Sequence, residues 1–255
     1  MKTKKIVLRI IFIVALCVFI YSGANLGYTY YKYYKVNKDN KDLVKKVVKE
    51  SKNPKKSKKN LTVAYNANAL KRKIDFKTLK SINKDIIGWV YIPNTAIDYA
   101  ILKGNNNDQY LHHNYYKKYS FAGSIFIDHI NKRDFTDDNT ILYGHNMKNG
   151  SMFAGLKQFT TQSYMDQHPY VYIYLPNGAI NVYSIFSTNV YYATSKMYSK
   201  GNDYQTYVKK ILSTSLAKRD VDEKKQAPLV MLSTCSAAHS VRRTVVYGRL
   251  NETLK

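Results

Sequence analysis

The residue in this sequence best placed to do chemistry is Cys235, which closes the run Pro228-Leu-Val-Met-Leu-Ser-Thr-Cys235. A thiol attacks a carbonyl only as the thiolate, and a neighbouring imidazolium or guanidinium lowers its pKa. The tetrahedral oxyanion that follows needs a preorganised donor, which an arginine can supply. Both partners occur at telling places. His145 stands in Leu142-Tyr-Gly-His-Asn146, and Arg242 and Arg243 open Arg242-Arg-Thr-Val-Val-Tyr-Gly-Arg-Leu250. Taken alone, Cys235 reads more readily as a buried inert thiol, because free Cys packs as a small hydrophobe. The His and the arginines are what point to acyl transfer.

The remaining histidines are His112, His113, His129, His168 and His239. None pairs with a second His or a Cys at metal-ligand spacing, so neither a metal site nor a cofactor is expected. His239 follows Cys235 by four residues and is the one rival to His145. Successive side chains on a strand point to opposite faces, so Arg242 and Arg243 cannot both serve one site. The alternation of Thr244, Val245, Val246 and Tyr247 leaves the choice open.

Positioning these groups requires strands. Short β-branched and aromatic runs occur at Trp89–Ile92, Ile97–Leu102, Gly123–Asp128, Thr140–Tyr143, Tyr170–Leu175, Ile180–Tyr192, Leu229–Thr234 and Thr244–Leu250. Pro93-Asn94, Asp137-Asp138-Asn139 and Pro176-Asn177-Gly178 punctuate them, and the last predicts a hairpin. Eight such strands predict a mainly β barrel or sandwich. Asp75 predicts a cap for an amphipathic helix through Ile82, with Phe76, Leu79 and Ile82 on one face. Two helical inserts are expected, one from Ser151 with Met152, Phe153, Leu156 and Phe159, the other over about Asp203 to Ala217. If the barrel holds, His145, Cys235 and Arg243 lie at strand ends that can meet at one rim.

With 255 residues and 45% hydrophobic content, one sizeable domain plus extra segments is expected. The two Cys exclude a disulfide framework, since Cys17 lies in an apolar N-terminal run. That run, with Lys2, Lys4, Lys5 and Arg9 and no acid, reads as a membrane segment with its N-terminus cytoplasmic and the rest outside. Tyr28, Tyr30, Tyr31, Tyr33 and Tyr34 suit an interfacial belt. A cleaved signal peptide competes with an anchor, and Ala24 offers only a poor cleavage site. The expected division is 1–34 anchor, 35–60 basic linker and 61–255 catalytic domain. Much of the net charge of +24 sits around that linker: residues 32–59 carry twelve Lys against Asp39, Asp42 and Glu50. Leu43, Val44, Val47 and Val48 have helical spacing there, after a possible cap at Asn40. The linker is either a spacer drawn to anionic lipid or wall polymer, or a solvated stalk. A nucleic-acid partner fails on context, because no nucleic-acid motif follows the export signal.

Over about residues 75–250 the chain resembles the sortases, class B most closely. The resemblance rests on Leu232-Ser-Thr-Cys235, Leu142-Tyr-Gly-His-Asn-Met147, Gly123-Ser-Ile-Phe-Ile-Asp128, Gly88-Trp-Val beside Ile97-Asp-Tyr, and Arg243 leading the last strand. It implies a closed eight-stranded barrel, with N-terminal helices and a helix inserted between the sixth and seventh barrel strands, where residues 195–217 fall. The implied activity is transpeptidation. A thiolate cleaves a C-terminal sorting signal after Thr, and an amine of peptidoglycan precursor or a pilin resolves the acyl-enzyme. By position Cys235 would be the nucleophile, His145 the acid and base, and Arg243 the oxyanion and substrate clamp. Substrate contacts would map to Asn107, Leu111, Tyr143, Tyr198, Ser233 and Thr234. The resemblance implies a membrane-bound monomer that needs no cofactor.

Three departures stand out. Met231 replaces a family Thr, which alters packing. Ser236 and Ala237 stand where class B members often carry acids, so no acid-assisted triad is expected there. The loop from Cys235 to Arg243 is short for the class, which keeps Arg242 in contention. Two other functions compete: a secreted cysteine peptidase that only hydrolyses, and a non-catalytic wall-binding anchor protein.

Overall fold

In a computed structural model, described for residues 2–51, 65–199, 203–235 and 240–255 (backbone alone for Lys2, Thr3 and Cys235), the chain begins with one long helix, α1 (Lys2–Val47). Two compact units divide it, Met1–Asp42 and Leu43–Lys255. In the first, the apolar side chains from Ile6 to Tyr21 are exposed, and α1 is the one helix among the described residues long and apolar enough to cross a membrane. Asn40 does not start a helix as its side chain suggested; it lies inside α1. No Pro or Gly interrupts the chain between Tyr28 and Val47, so the helix propagates through. Leu43 and Val47 are buried in the second unit, so part of the basic stretch belongs to its core. The linker's residues 52–60 lie outside the described residues.

The second unit opens with small capped pieces. β1 (Val48–Glu50) pairs antiparallel with β2 (Arg72–Ile74). Asn66 caps α2 (Ala67–Lys71), and Asp75 caps α3 (Phe76–Ile82) by accepting a hydrogen bond from the Thr78 amide. Phe76 and Leu79 of α3 are buried, as its periodicity predicted.

The barrel strands follow: β3 (Ile86–Tyr91), β4 (Asp98–Leu102), β5 (Ile125–Ile127), β6 (Asn139–Tyr143), β7 (Tyr170–Tyr174) and β8 (Ile180–Tyr192). A two-residue strand, β9 (Ala217–Lys218), extends from β8, and β10 (Leu229–Cys235) and β11 (Arg242–Leu254) complete the set. The hydrogen-bonded order is β11-β10-β6-β5-β4-β3-β7-β8, and β8 pairs again with β11, closing eight strands. Every expected strand is present, with ends shifted by a few residues. The β7–β8 hairpin turns at Pro176-Asn177-Gly178, where Gly178 takes a φ of +82° that L side chains rarely adopt.

The two inserts also form. A 3₁₀ turn (Ala154–Thr160) leads into α4 (Gln162–Gln167), and it starts three residues later than Ser151 because Met152 takes a left-handed φ of 57°. The other insert is α5 (Tyr204–Ser213), capped by Asp203 and lying between β8 and β10, the sixth and seventh barrel strands. Its Val208 and Ile211 pack in one cluster with Leu229, Met231, Val245 and Tyr247. Val230 and Leu232, on the alternate face of β10, are also fully buried. Both faces of β10 are therefore covered, which is why it reads as an unbroken apolar run rather than an alternating one. Met231 sits beneath α5, so its departure from the family pattern is a packing matter.

Candidate active site

The site grows from two parallel neighbours. β6 and β10 run side by side in register from Leu229↔Asn139 to Ser233↔Tyr143, and the Gly144 amide extends the pairing by donating to the Ser233 carbonyl at 3.1 Å. Cys235 and His145 therefore follow the last pair at the same step. Gly144 is required: an added Cβ would lie 2.4 Å from the Ile125 side chain and 2.7 Å from the Phe153 ring. On its other edge β10 pairs with β11, Cys235 opposite Arg243.

Arg243 lines the cleft at this end of the barrel. Its Nη1 donates to the Ser240 carbonyl at 2.6 Å, which fixes the guanidinium at the rim. Arg242 points elsewhere, with its guanidinium carbon 5.3 Å from the Tyr192 ring centroid. Strand alternation thus separates the two arginines.

His145 is half-buried. Its Nε2 lies 2.8 Å from the Leu111 carbonyl. A carbonyl only accepts, so Nε2 carries the hydrogen and Nδ1 is the nitrogen left to exchange a proton. The His112 ring stacks on His145 with centroids 5.5 Å apart. Burial pushes the His145 pKa below the ordinary imidazole value; charge on His112 and Arg243 adds to this, and the Leu111 carbonyl opposes it.

Eight residues singled out in the sequence line a single cleft of about 300 Å³: Asn107, Leu111, Tyr143, His145, Tyr198, Ser233, Thr234 and Arg243. The Tyr198 hydroxyl lies 2.7 Å from Ser233 Oγ, and the Tyr143 and Tyr198 rings stack at 6.3 Å. Two aromatic rings and two hydroxyls thus form a wall suited to a short extended peptide. The Thr234 hydroxyl is buried with no hydrogen-bond partner among the described residues. The Cys235 side chain, Ser236, Ala237 and His239 lie outside the described residues. A larger hollow of about 560 Å³ between β2, α3 and the β7–β8 turn contains none of the candidate groups.

Four lining residues were not among the candidates of the sequence reading: Asp108, Phe126, which packs on Tyr143, Gly144, and Ala193, just past β8. Asp128 escaped it as a site residue too. It closes the Gly123–Asp128 motif, and a lone carboxylate ending an apolar strand was the available signal.

Comparison with known proteins places this arrangement. The sortase domain family model matches residues 90–251. Sortase B of Listeria monocytogenes is 36% identical over 182 residues, covering 69% of this chain and 74% of that protein. Among solved structures, sortase B of Clostridium perfringens superposes with a TM-score of 0.62 at 34% identity, covering 69% of this chain and 100% of the other. The Staphylococcus aureus sortase B–substrate complex gives a TM-score of 0.63 at 28% identity, covering 70% and 85%. A family model spanning most of the barrel and a relative at this identity lead to one conclusion: the chain belongs to the sortase family, and within it to the class B cysteine transpeptidases.

Proposed function

We propose that this enzyme cleaves a C-terminal sorting signal of exported proteins after Thr and transfers the new acyl end to an amine of peptidoglycan precursor or a pilin. The single observation that carries the assignment of residues is the cleft, which brings His145, Arg243 and the end of β10 to one place. The Cys235 thiolate adds to the Thr carbonyl carbon, and the Arg243 fork donates to the oxyanion. The C–N bond then breaks as His145 gives its Nδ1 proton to the leaving amine, and a thioester remains. An incoming amine attacks the thioester, His145 Nδ1 takes its proton, and the Cys235 thiolate departs. The Tyr143 and Tyr198 wall, with Asn107, Leu111, Ser233 and Thr234, holds the peptide in an extended form. The substrate complex of the Staphylococcus aureus relative supports peptide binding by this fold.

α1 serves in this reading as an uncleaved anchor, N-terminus inside, with the barrel outside as a monomer. The test is a peptide-library screen with the full chain in detergent, scored by mass spectrometry with and without an added amine. Cleavage after Thr, with an amine adduct formed only by protein that retains Cys235, is expected. Hydrolysis alone in the presence of amine assigns a peptidase instead, and activity that survives Cys235→Ala removes the nucleophile assignment.

A further inference from the structure

Asp128 closes β5 and is buried, with 6% of its surface exposed. Its carboxylate accepts three hydrogen bonds and lies beside one imidazole. Oδ2 accepts from the Tyr143 hydroxyl at 2.8 Å and from Asn107 Nδ2 at 3.1 Å. Oδ1 accepts from the Ile130 amide at 3.1 Å and lies 3.2 Å from His129 Nδ1. The amide of His129 in turn donates to Asn107 Oδ1 at 2.8 Å. Lys103 Nζ ties down the same turn, donating to the His129 and Asn131 carbonyls at 2.8 and 2.6 Å.

The arithmetic of donors and acceptors then has one solution. A carboxylate offers about four acceptor sites, and hydrogen bonds fill three of them here. Asp128 only accepts, so it orients the Asn107 amide: Oδ1 turns to the His129 amide, one amide hydrogen turns to Asp128, and the second amide hydrogen is left to donate. We propose that Asp128 is a positioning residue for substrate recognition: it fixes Asn107 as a hydrogen-bond donor toward a carbonyl oxygen of the sorting peptide and locks the Tyr143 ring as the peptide's wall. This rests on the transpeptidase reading above and adds to it the polarity of one substrate contact. Asp128 touches neither the thiol nor the substrate in this scheme. It acts through Asn107 and Tyr143.

The test is a charge swap, with the full chain in detergent and the best-cleaved library peptide. Asp128→Asn sets an amide against the Asn107 amide, donor facing donor, and is expected to raise KM about tenfold while kcat stays within about threefold. Asn107→Asp sets two carboxylates together and is expected to raise KM as well, less so at low pH, where the pair shares a proton. In the double variant the donor at position 107 is already gone, so adding Asp128→Asn to Asn107→Asp is expected to raise KM by clearly less than it does alone. A purely structural role makes the two effects multiply instead. An unchanged KM in Asp128→Asn, or multiplying effects in the double variant, overturns the inference while leaving the transpeptidase reading intact. If Asp128→Asn does not fold, Asn107→Asp still decides the matter: a KM independent of pH overturns it. A wild type that turns over no library peptide overturns both.

Discussion

The surroundings of His145 shift its pKa down: burial comes first, the Leu111 carbonyl opposes it, and the charges of His112 and Arg243 add to it. The proposed cleavage uses the Cys235–His145 pair with one proton between them, as thiolate and imidazolium, so uptake of a second proton by the pair sets the acid limb of kcat/KM against pH. Replacing His112 by Ala removes a cover and a charge, and both changes raise the His145 pKa. The acid limb is therefore expected at higher pH in His112→Ala, and a limb moved to lower pH contradicts the stacking argument. Stability follows the same sign. The folded form binds fewer protons than the unfolded one, so this contribution is present above about pH 6.5 and lost as pH falls through the depressed folded value. His145→Gln should lose less melting temperature between pH 7 and pH 5 than wild type does. Cys235, His145 and Arg243 could be singled out as candidates in the sequence because few residue types do this chemistry and each stands at a strand end, and the structure brings His145, Arg243 and the end of β10 together. The tautomer of His145 was not legible, since a backbone carbonyl 34 residues away decides it. Nor was the grip of Asp128, whose partners come from three separate segments.

At the scale of elements, the register of β11 decides which arginine faces the cleft. Its register puts Arg243 opposite Cys235 and Tyr191, and Arg242 opposite Tyr192. Arg243→Ala and Arg243→Lys are each expected to lose about 10²–10³ in kcat, since Lys lacks the planar fork. Arg242→Ala should stay within about tenfold, because an exposed charge contributes only screened steering. Steady-state cleavage by the three variants, with circular dichroism to confirm folding, checks this; a larger loss in Arg242→Ala reverses the assignment. β10 carries the structural burden. Leu232 is fully buried, and Leu232→Ala should cost about 2–5 kcal/mol in urea unfolding. Strands and caps were readable because turn residues and apolar runs are local signals. The Asn40 boundary misled because a capping side chain permits a helix start without forcing one. The face assignment of the two arginines waited on pairing between β11 and two distant strands.

For the whole molecule, the exposed apolar length of α1 and the basic residues before it set the expected topology. Protease added to intact protoplasts should degrade the barrel while N-terminal sequencing recovers the intact start. A mature chain beginning near Asn25 removes the anchor. The parallel pairing of β6 with β10 has a further consequence, in the order of events during synthesis. Tyr143 and Ser233 lie 90 residues apart in the chain yet are immediate neighbours in the sheet. A chain that emerges N-terminus first has already presented its peptide wall and its imidazole when Cys235 arrives, and β11 must still seal the barrel against β8 before the guanidinium takes its place. Contacts this distant in sequence form slowly. On the proposed assignment, the thiol therefore has both its partners in place only once β10 has paired with β6 and with β11.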